Sequence, residues 1–229
     1  MNLNNALFFG GTSEIALEIS KSLKKSFNII SISRSLSLNK NYAKEIKINF
    51  NDKLFPKKKL IKNLNKKFSL VVFFQADQAK NDKKFFELNN QFINKVINVN
   101  AIFSIKAATF LIKKNFLSEN CKIIFFSSRS GSIFERGTLN HHKPGGNNLY
   151  RASKSILNSF VKNIAFEYKK NNYIFLAYHP GWSKTKSSGG IKKGMSKKIT
   201  SKKFLKIISK IKKKHSGKFL DFNFKTIPW

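Results

Sequence analysis

Tyr150 and Lys154 stand four positions apart in the run Tyr150, Arg151, Ala152, Ser153, Lys154, at the head of a stretch whose apolar residues recur at helical spacing. That separation places both side chains on one face of a helix. There an ammonium lowers the pKa of a phenol that otherwise titrates near ~10, and a tyrosine tuned in this way trades protons at neutral pH. The same spacing also describes a half-buried Tyr beside a solvated Lys, and a lysine-rich chain produces it by chance. The pair acquires chemical meaning only from the residues that accompany it.

Three other segments supply that company. A short apolar run ends at Phe9 and leads through Gly10, Gly11, Thr12, Ser13, Glu14, Ile15 and Ala16 into a helical pattern. Backbone amides at such a helix start form an anion site suited to a pyrophosphate, although paired glycines also mark ordinary turns. A second apolar run closes on Phe125, Phe126, Ser127 and Ser128, and a third is followed by His179, Pro180, Gly181, Trp182, Ser183, Lys184 and Thr185.

Taken together, these segments resemble the short-chain dehydrogenase/reductase family, and the likeness extends over essentially the whole chain. The run Ser216 to Asp221 and the closing Ile227, Pro228, Trp229 are similar to the ending of its C-factor-like, carbonyl-reductase-like branch. The resemblance implies an NADP(H)-dependent oxidoreductase that interconverts a small-molecule carbonyl and an alcohol. Tyr150 is then the general acid or base, Lys154 its partner and a ligand of the nicotinamide ribose, and Asn100 the anchor of a proton-relay water in a bent helix. Ser128 aligns with the serine that polarises the carbonyl; it lies 22 residues before Tyr150, a long interval for the family, so Ser127 and Ser130 stay open for that role.

The cofactor residues implied are Gly10, Thr12, Ser13, Glu14 and Ile15 at the diphosphate, Asn49 and Asp52 near the adenine, and Gln75 and Ala76 after the fourth strand. Pro180, Gly181, Trp182 and Thr185 fall at the nicotinamide. The second strand ends on Ser33 and Arg34 with no acidic residue, which suits a 2′-phosphate and hence NADP(H) over NAD(H). The chain departs from the family at Glu14 and Ala16, which replace two glycines, and at Gln75 and Asp77 in the turn after the fourth strand. A carboxylate at Glu14 repels a diphosphate unless the side chain turns outward. The family's pairing through the helices that hold Asn100 and Tyr150 implies a homodimer or homotetramer.

These residues require a scaffold, and the hydrophobic pattern gives one. Apolar runs at 6–9, 28–33, 45–50, 70–75, 122–127, 173–178 and 218–222 alternate with helical patterns at 14–25, 55–66, 85–115, 148–170 and 197–213. Seven strands with intervening helices predict an α/β fold, a doubly wound parallel sheet covered on both faces in a single domain spanning 1–229. The polar insert 132–148 and the Gly/Ser/Lys stretch 183–196 follow strands at their carboxyl ends, where such folds bind ligands. Adjacent His141 and His142 in the first of these lack carboxylate or cysteine partners at ligand spacing, so no metal is expected and a substrate-facing loop is the better reading.

At 229 residues with a net charge of +34, the chain has the size of one α/β domain and the charge of a polyanion binder. Only four of its 45 basic residues are Arg, namely Arg34, Arg129, Arg136 and Arg151. Arginine is the residue favoured for bidentate contacts to phosphates and bases, and Lys, Asn, Ile and Phe share A/T-rich codons, so a base bias explains the composition and no specific nucleic-acid partner is expected. The single Cys121 cannot form an intramolecular disulfide. With no signal-peptide pattern and no run of ~18 apolar residues, the expectation is a cytoplasmic protein without membrane insertion.

Overall fold

Seven short apolar runs pair into one parallel sheet. The computed structural model describes residues 3–79, 88–137, 147–186 and 194–229. Its strands are β1 (Asn4–Phe9), β2 (Phe27–Ser33), β3 (Lys44–Lys47), β4 (Phe68–Phe73), β5 (Leu117–Phe126), β6 (Ile174–His179) and β7 (Lys218–Asp221). Across the sheet they run 3-2-1-4-5-6-7, with every neighbouring pair parallel. The order reverses between β1 and β4, which opens a crevice at the carboxyl ends of those strands. This is the doubly wound seven-stranded α/β sheet expected from the sequence.

Helices cover both faces. On one side α2 (Lys57–Asn63), α4 (Phe103–Lys113) and α5 (Asn148–Glu167) pack over Leu7, Phe9, Val71, Phe73 and Phe125. On the other, α1 (Glu14–Leu23) and α6 (Lys197–Lys210) bury Ala16, Ile19, Phe204 and Ile207 against Phe8, Val72 and Ile124. The helix starts are set by side-chain caps: Ser13 accepts from Ala16 N, Asn89 from Phe92 N ahead of α3 (Asn90–Ile97), and Ser196 from Ile199 N.

Consecutive phenylalanines end three adjacent strands. Phe9, Phe73 and Phe125 stack across β1, β4 and β5 with ring centroids 4.6 and 4.7 Å apart and planes within 4°. On the opposite face Phe8, Phe74 and Phe126 make a second row at 5.0 and 4.5 Å, closed by Tyr178 and Phe204. Strand alternation sends each neighbouring pair to opposite faces, so the two rows clamp the sheet from both sides. The residues that follow, Gly10, Gln75 and Ser127, begin the loops at the carboxyl edge of the sheet, Gly10 one residue earlier in register than the other two.

The long helical pattern at 85–115 resolves into α3, a π-helical segment Asn98–Ile102 and α4, with 85–87 outside the described residues. In the π segment Phe103 N–H reaches Asn98 O, five residues back. Helix α2 is shorter than its pattern because Pro56 and an extended Leu64 bound it, and edge strand β3 stops where Asn49 and Asp52 make a turn. The absence of a membrane-length apolar run needs correction: Asn90–Lys113 is 24 residues long and apolar enough to cross a membrane by length and composition. Its Phe103, Ala107, Ala108, Phe110 and Leu111 are buried against the sheet, so packing accounts for its apolar character.

Removing one rung of the aromatic row tests its weight. Phe125→Ala is expected to destabilise the protein by about 3–5 kcal/mol in urea unfolding. Phe166→Ala, at a side chain 67% exposed, should stay within about 0.5 kcal/mol of the parent.

Candidate active site

The glycine loop leaves β1 at Gly10, whose φ of +78° favours glycine and where an added Cβ would lie 2.7 Å from Gln75 N. Tyr42 Oη donates to Gly11 O at 2.6 Å, and Thr12 N donates to Ser33 Oγ at 3.2 Å, which fixes the loop against β2 and its sequel. Among the described residues the amides of Glu14 and Ile15, the first two of α1, donate to no protein acceptor. A helix start with free amides beside a glycine turn suits the diphosphate of a dinucleotide. Glu14 does turn away: its carboxylate accepts from Lys186 N at 2.6 Å and Lys197 Nζ at 2.8 Å. Those bonds hold its pKa below the usual value.

At the end of β2, Ser33 is buried and committed to Thr12, while Arg34 is exposed and free to meet a ligand. Asn49 is exposed and bonded to Asp52 Oδ1 at 2.8 Å. Gln75 donates to Ser104 Oγ at 2.7 Å and keeps a buried Oε1 with no protein partner; Ala76 beside it is exposed. The second departure is also accommodated, since Asp77 Oδ2 lies 3.1 Å from Lys95 Nζ and Oδ1 accepts from Ala79 N.

Helix α5 brings Tyr150 and Lys154 to the carboxyl ends of β5 and β6. Its buried stripe of Leu149, Leu157, Val161 and Ile164 also contains Ser153, Lys154 and Asn158, so the face that packs is the face that carries polar groups. Ser128 faces the Tyr150 phenol and acts to lower its pKa, whereas Ser127 donates to Asn158 Oδ1 at 2.6 Å. The three-way choice left by the sequence therefore narrows: Ser127 is taken up by the fold and Ser128 faces Tyr150. Ser130 contributes a backbone amide to Ser128 Oγ.

Lys154 is 1% exposed and donates to Phe126 O at 2.9 Å, with Nζ 5.8 Å from the Tyr150 ring centre. Burial brings its pKa down to about 7. The spacing alone suggested an ammonium that lowers the phenol's pKa. Here burial raises the Tyr150 pKa and the Ser128 hydroxyl offsets part of the rise, while the pKa of Lys154 itself is brought down to about 7.

Asn100 sits in the π segment, buried, with Oδ1 accepting from Asp77 N and Nδ2 donating to Asp77 O and Ser153 Oγ, both at 2.9 Å. Ser153 in turn donates to Tyr150 O at 2.7 Å. The Asn thus ties the turn after β4 to the first turn of α5.

After β6, Gly181 has φ +77° and an added Cβ would lie 2.6 Å from Met195 Cε. Pro180 is half-buried, Trp182 56% exposed and Thr185 buried. The segment doubles back through Lys184 N to Met195 O at 2.8 Å and Met195 N to Trp182 O at 2.7 Å. Gly189, Gly190, and the His141, His142, Lys143, Pro144, Gly145, Gly146 loop lie outside the described residues.

Several supporting groups escaped the sequence reading. Ser153 and Asn158 were detectable as polar residues on the apolar stripe of α5, three and eight positions after Tyr150. Arg129, which bridges Glu135 at 3.3 Å and Asp221 at 3.6 Å, carried no local signal. His179 is buried with Nδ1 unpartnered.

With this geometry in place, the chain belongs to the short chain dehydrogenase family, whose profile matches residues 4–196. Similar proteins include the C-signal of Myxococcus xanthus, 29% identical over 93 residues, covering 41% of this chain and 55% of that one. An uncharacterised oxidoreductase of Schizosaccharomyces pombe is 26% identical over 135 residues, covering 52% and 50%. The chain thus spans about half the length of the curated relatives it matches. In structure it resembles the NADPH-bound carbonyl reductase from chicken fatty liver, with a TM-score of 0.83, 18% identity and coverage of 100% and 95%.

His179 offers a test of the site's electrostatics. Burial, aided by Arg129 and opposed by Asp221, lowers its pKa from 6.5 to about 4. Between those values the unfolded chain binds a proton that the folded chain excludes, so stability must fall as pH drops through this window. His179→Gln should flatten that part of the dependence, read from urea midpoints at several pH values.

Proposed function

We propose that this chain is an NADP(H)-dependent oxidoreductase that interconverts a carbonyl and an alcohol. The observation that carries the reading is the Tyr150 ring with the Nζ of buried Lys154 5.8 Å from its centre, one helical turn on, and Ser128 facing the phenol. The nicotinamide supplies or accepts the hydride. Gly10, Thr12, Ser13, Glu14 and Ile15 would hold the diphosphate, chiefly through backbone, and Arg34 the 2′-phosphate, with Ser33 shaping the loop behind it. Asn49, Gln75 and Ala76 border the adenosine half; Pro180, Gly181, Trp182 and Thr185 border the nicotinamide half.

In reduction, Ser128 Oγ–H donates to the substrate oxygen and steadies the negative charge that develops there. A phenol with a raised pKa keeps its proton at pH 7, and Tyr150 delivers it to that oxygen as the carbonyl becomes an alcohol. In oxidation the proton moves the other way, and a charged Lys154 favours the phenolate that must accept it. Asn100 holds the first turn of α5 through Ser153, so Tyr150 is aimed by a bond made within the core. The family's pairing of subunits leads us to propose a homodimer or homotetramer.

A second reading, a binding or signalling protein that keeps the fold without turnover, is favoured by the match to C-signal. The two readings part on nucleotide binding and on Tyr150. Fluorescence titration in moderate salt should show micromolar NADPH binding, with NADH much weaker and Arg34→Ala erasing the preference. Affinity should decline as pH rises through about 7, where Lys154 loses its proton. Tyr150→Phe should lower kcat by about 10²–10⁴-fold while leaving NADPH affinity within about twofold. Failure to bind either nucleotide would transfer the case to the second reading.

A further inference from the structure

Glu14 stands where the family carries a glycine, and its side chain makes contacts that glycine cannot. Its two carboxylate oxygens reach different points on the segment after β6: the Lys186 amide at 2.6 Å, one residue beyond Thr185, and the Lys197 ammonium at 2.8 Å, at the start of α6. These partners are 172 and 183 positions away in sequence. The base of the segment is already fastened by the Ser183–Met195 bridge and by Ser183 Oγ against Thr200 Oγ1 at 2.8 Å. Glu14 adds a fastening between this segment and the glycine loop's own helix.

We propose that Glu14 is a positioning residue, a clasp that ties the Thr185–Lys186 backbone and the start of α6 to the helix of the dinucleotide loop, so that Thr185 is set on the nicotinamide side before cofactor arrives; this rests on the NADP(H) reading above. A carboxylate bonded to an ammonium and an amide presents little net charge to a diphosphate, which reconciles an acidic residue with an anion site. Release of a cofactor held by Thr185 then works against the two charge-assisted bonds that Glu14 makes, and is slowed accordingly. The nearby charged groups are Lys186, Lys197 and Glu18, and Lys197 dominates.

Two measurements decide the matter. Amide hydrogen exchange on cofactor-free protein should show the Lys186 amide exchanging about tenfold faster in Glu14→Ala, with β1 and β4 unchanged. Stopped-flow displacement should show NADPH leaving about five- to tenfold faster in Glu14→Ala and in Lys197→Met, with the double variant no faster than the quicker single, and with KM for NADPH moving more than kcat. Unchanged Lys186 exchange, or slower NADPH release when the carboxylate is removed, would overturn the clasp. If the parent protein binds no NADPH, the cofactor reading fails, while the exchange experiment still decides the clasp by itself.

Discussion

The stacking of Phe9, Phe73 and Phe125 on one face of the sheet, and of Phe8, Phe74 and Phe126 on the other, is the constraint from which the site follows. Parallel strands have no hairpin turns to set their register, so side chains must do it. Large rings in consecutive pairs leave little freedom: a slip by one residue would exchange the two faces at every rung. Each pair is worth about 0.5–1.5 kcal/mol beyond the area it buries, and the rows share members, so the effect is collective. The loops that begin at Gly10, Gln75 and Ser127 inherit their relative heights from this lock.

Helix α5 meets that frame with a stripe that is both apolar and polar. Burying Lys154 costs solvation, which the bond to Phe126 O recovers only in part, and the depressed pKa records the remainder. A lysine that solvent would have kept fully charged is thereby brought into the range where its charge responds to what binds beside it. The same burial raises the phenol, so two groups whose ordinary pKa values nearly coincide are moved apart on the pH scale.

Much of the architecture was legible because each strand is a short apolar run and each helix has a clear stripe. The dyad was legible because its spacing is local. The π segment was not, since it is stabilised by Asn100 bonding to Asp77 and Ser153, contacts 23 and 53 residues apart. The separation of Ser127 from Ser128 likewise depends on Asn158, 31 residues on. Glu14 looked like an obstacle in one dimension because its partners lie far along the chain. The expectation for the Tyr150 pKa missed for a different reason: proximity to a cation was visible in the sequence, and the desolvation of both groups was not.

The chain has 11 acidic residues against 45 basic ones, and among the described residues four near the site are engaged with cations: Glu14 with Lys197, Asp77 with Lys95, Glu135 and Asp221 with Arg129. Self-repulsion in so cationic a molecule opposes compactness. A surplus lysine can change with little effect, while a lost carboxylate leaves a cation unmatched and adds to an excess the fold already bears. Mutational tolerance is therefore lopsided. Drift toward still more lysine can proceed across the surface, and it halts at the few acids that act as rivets.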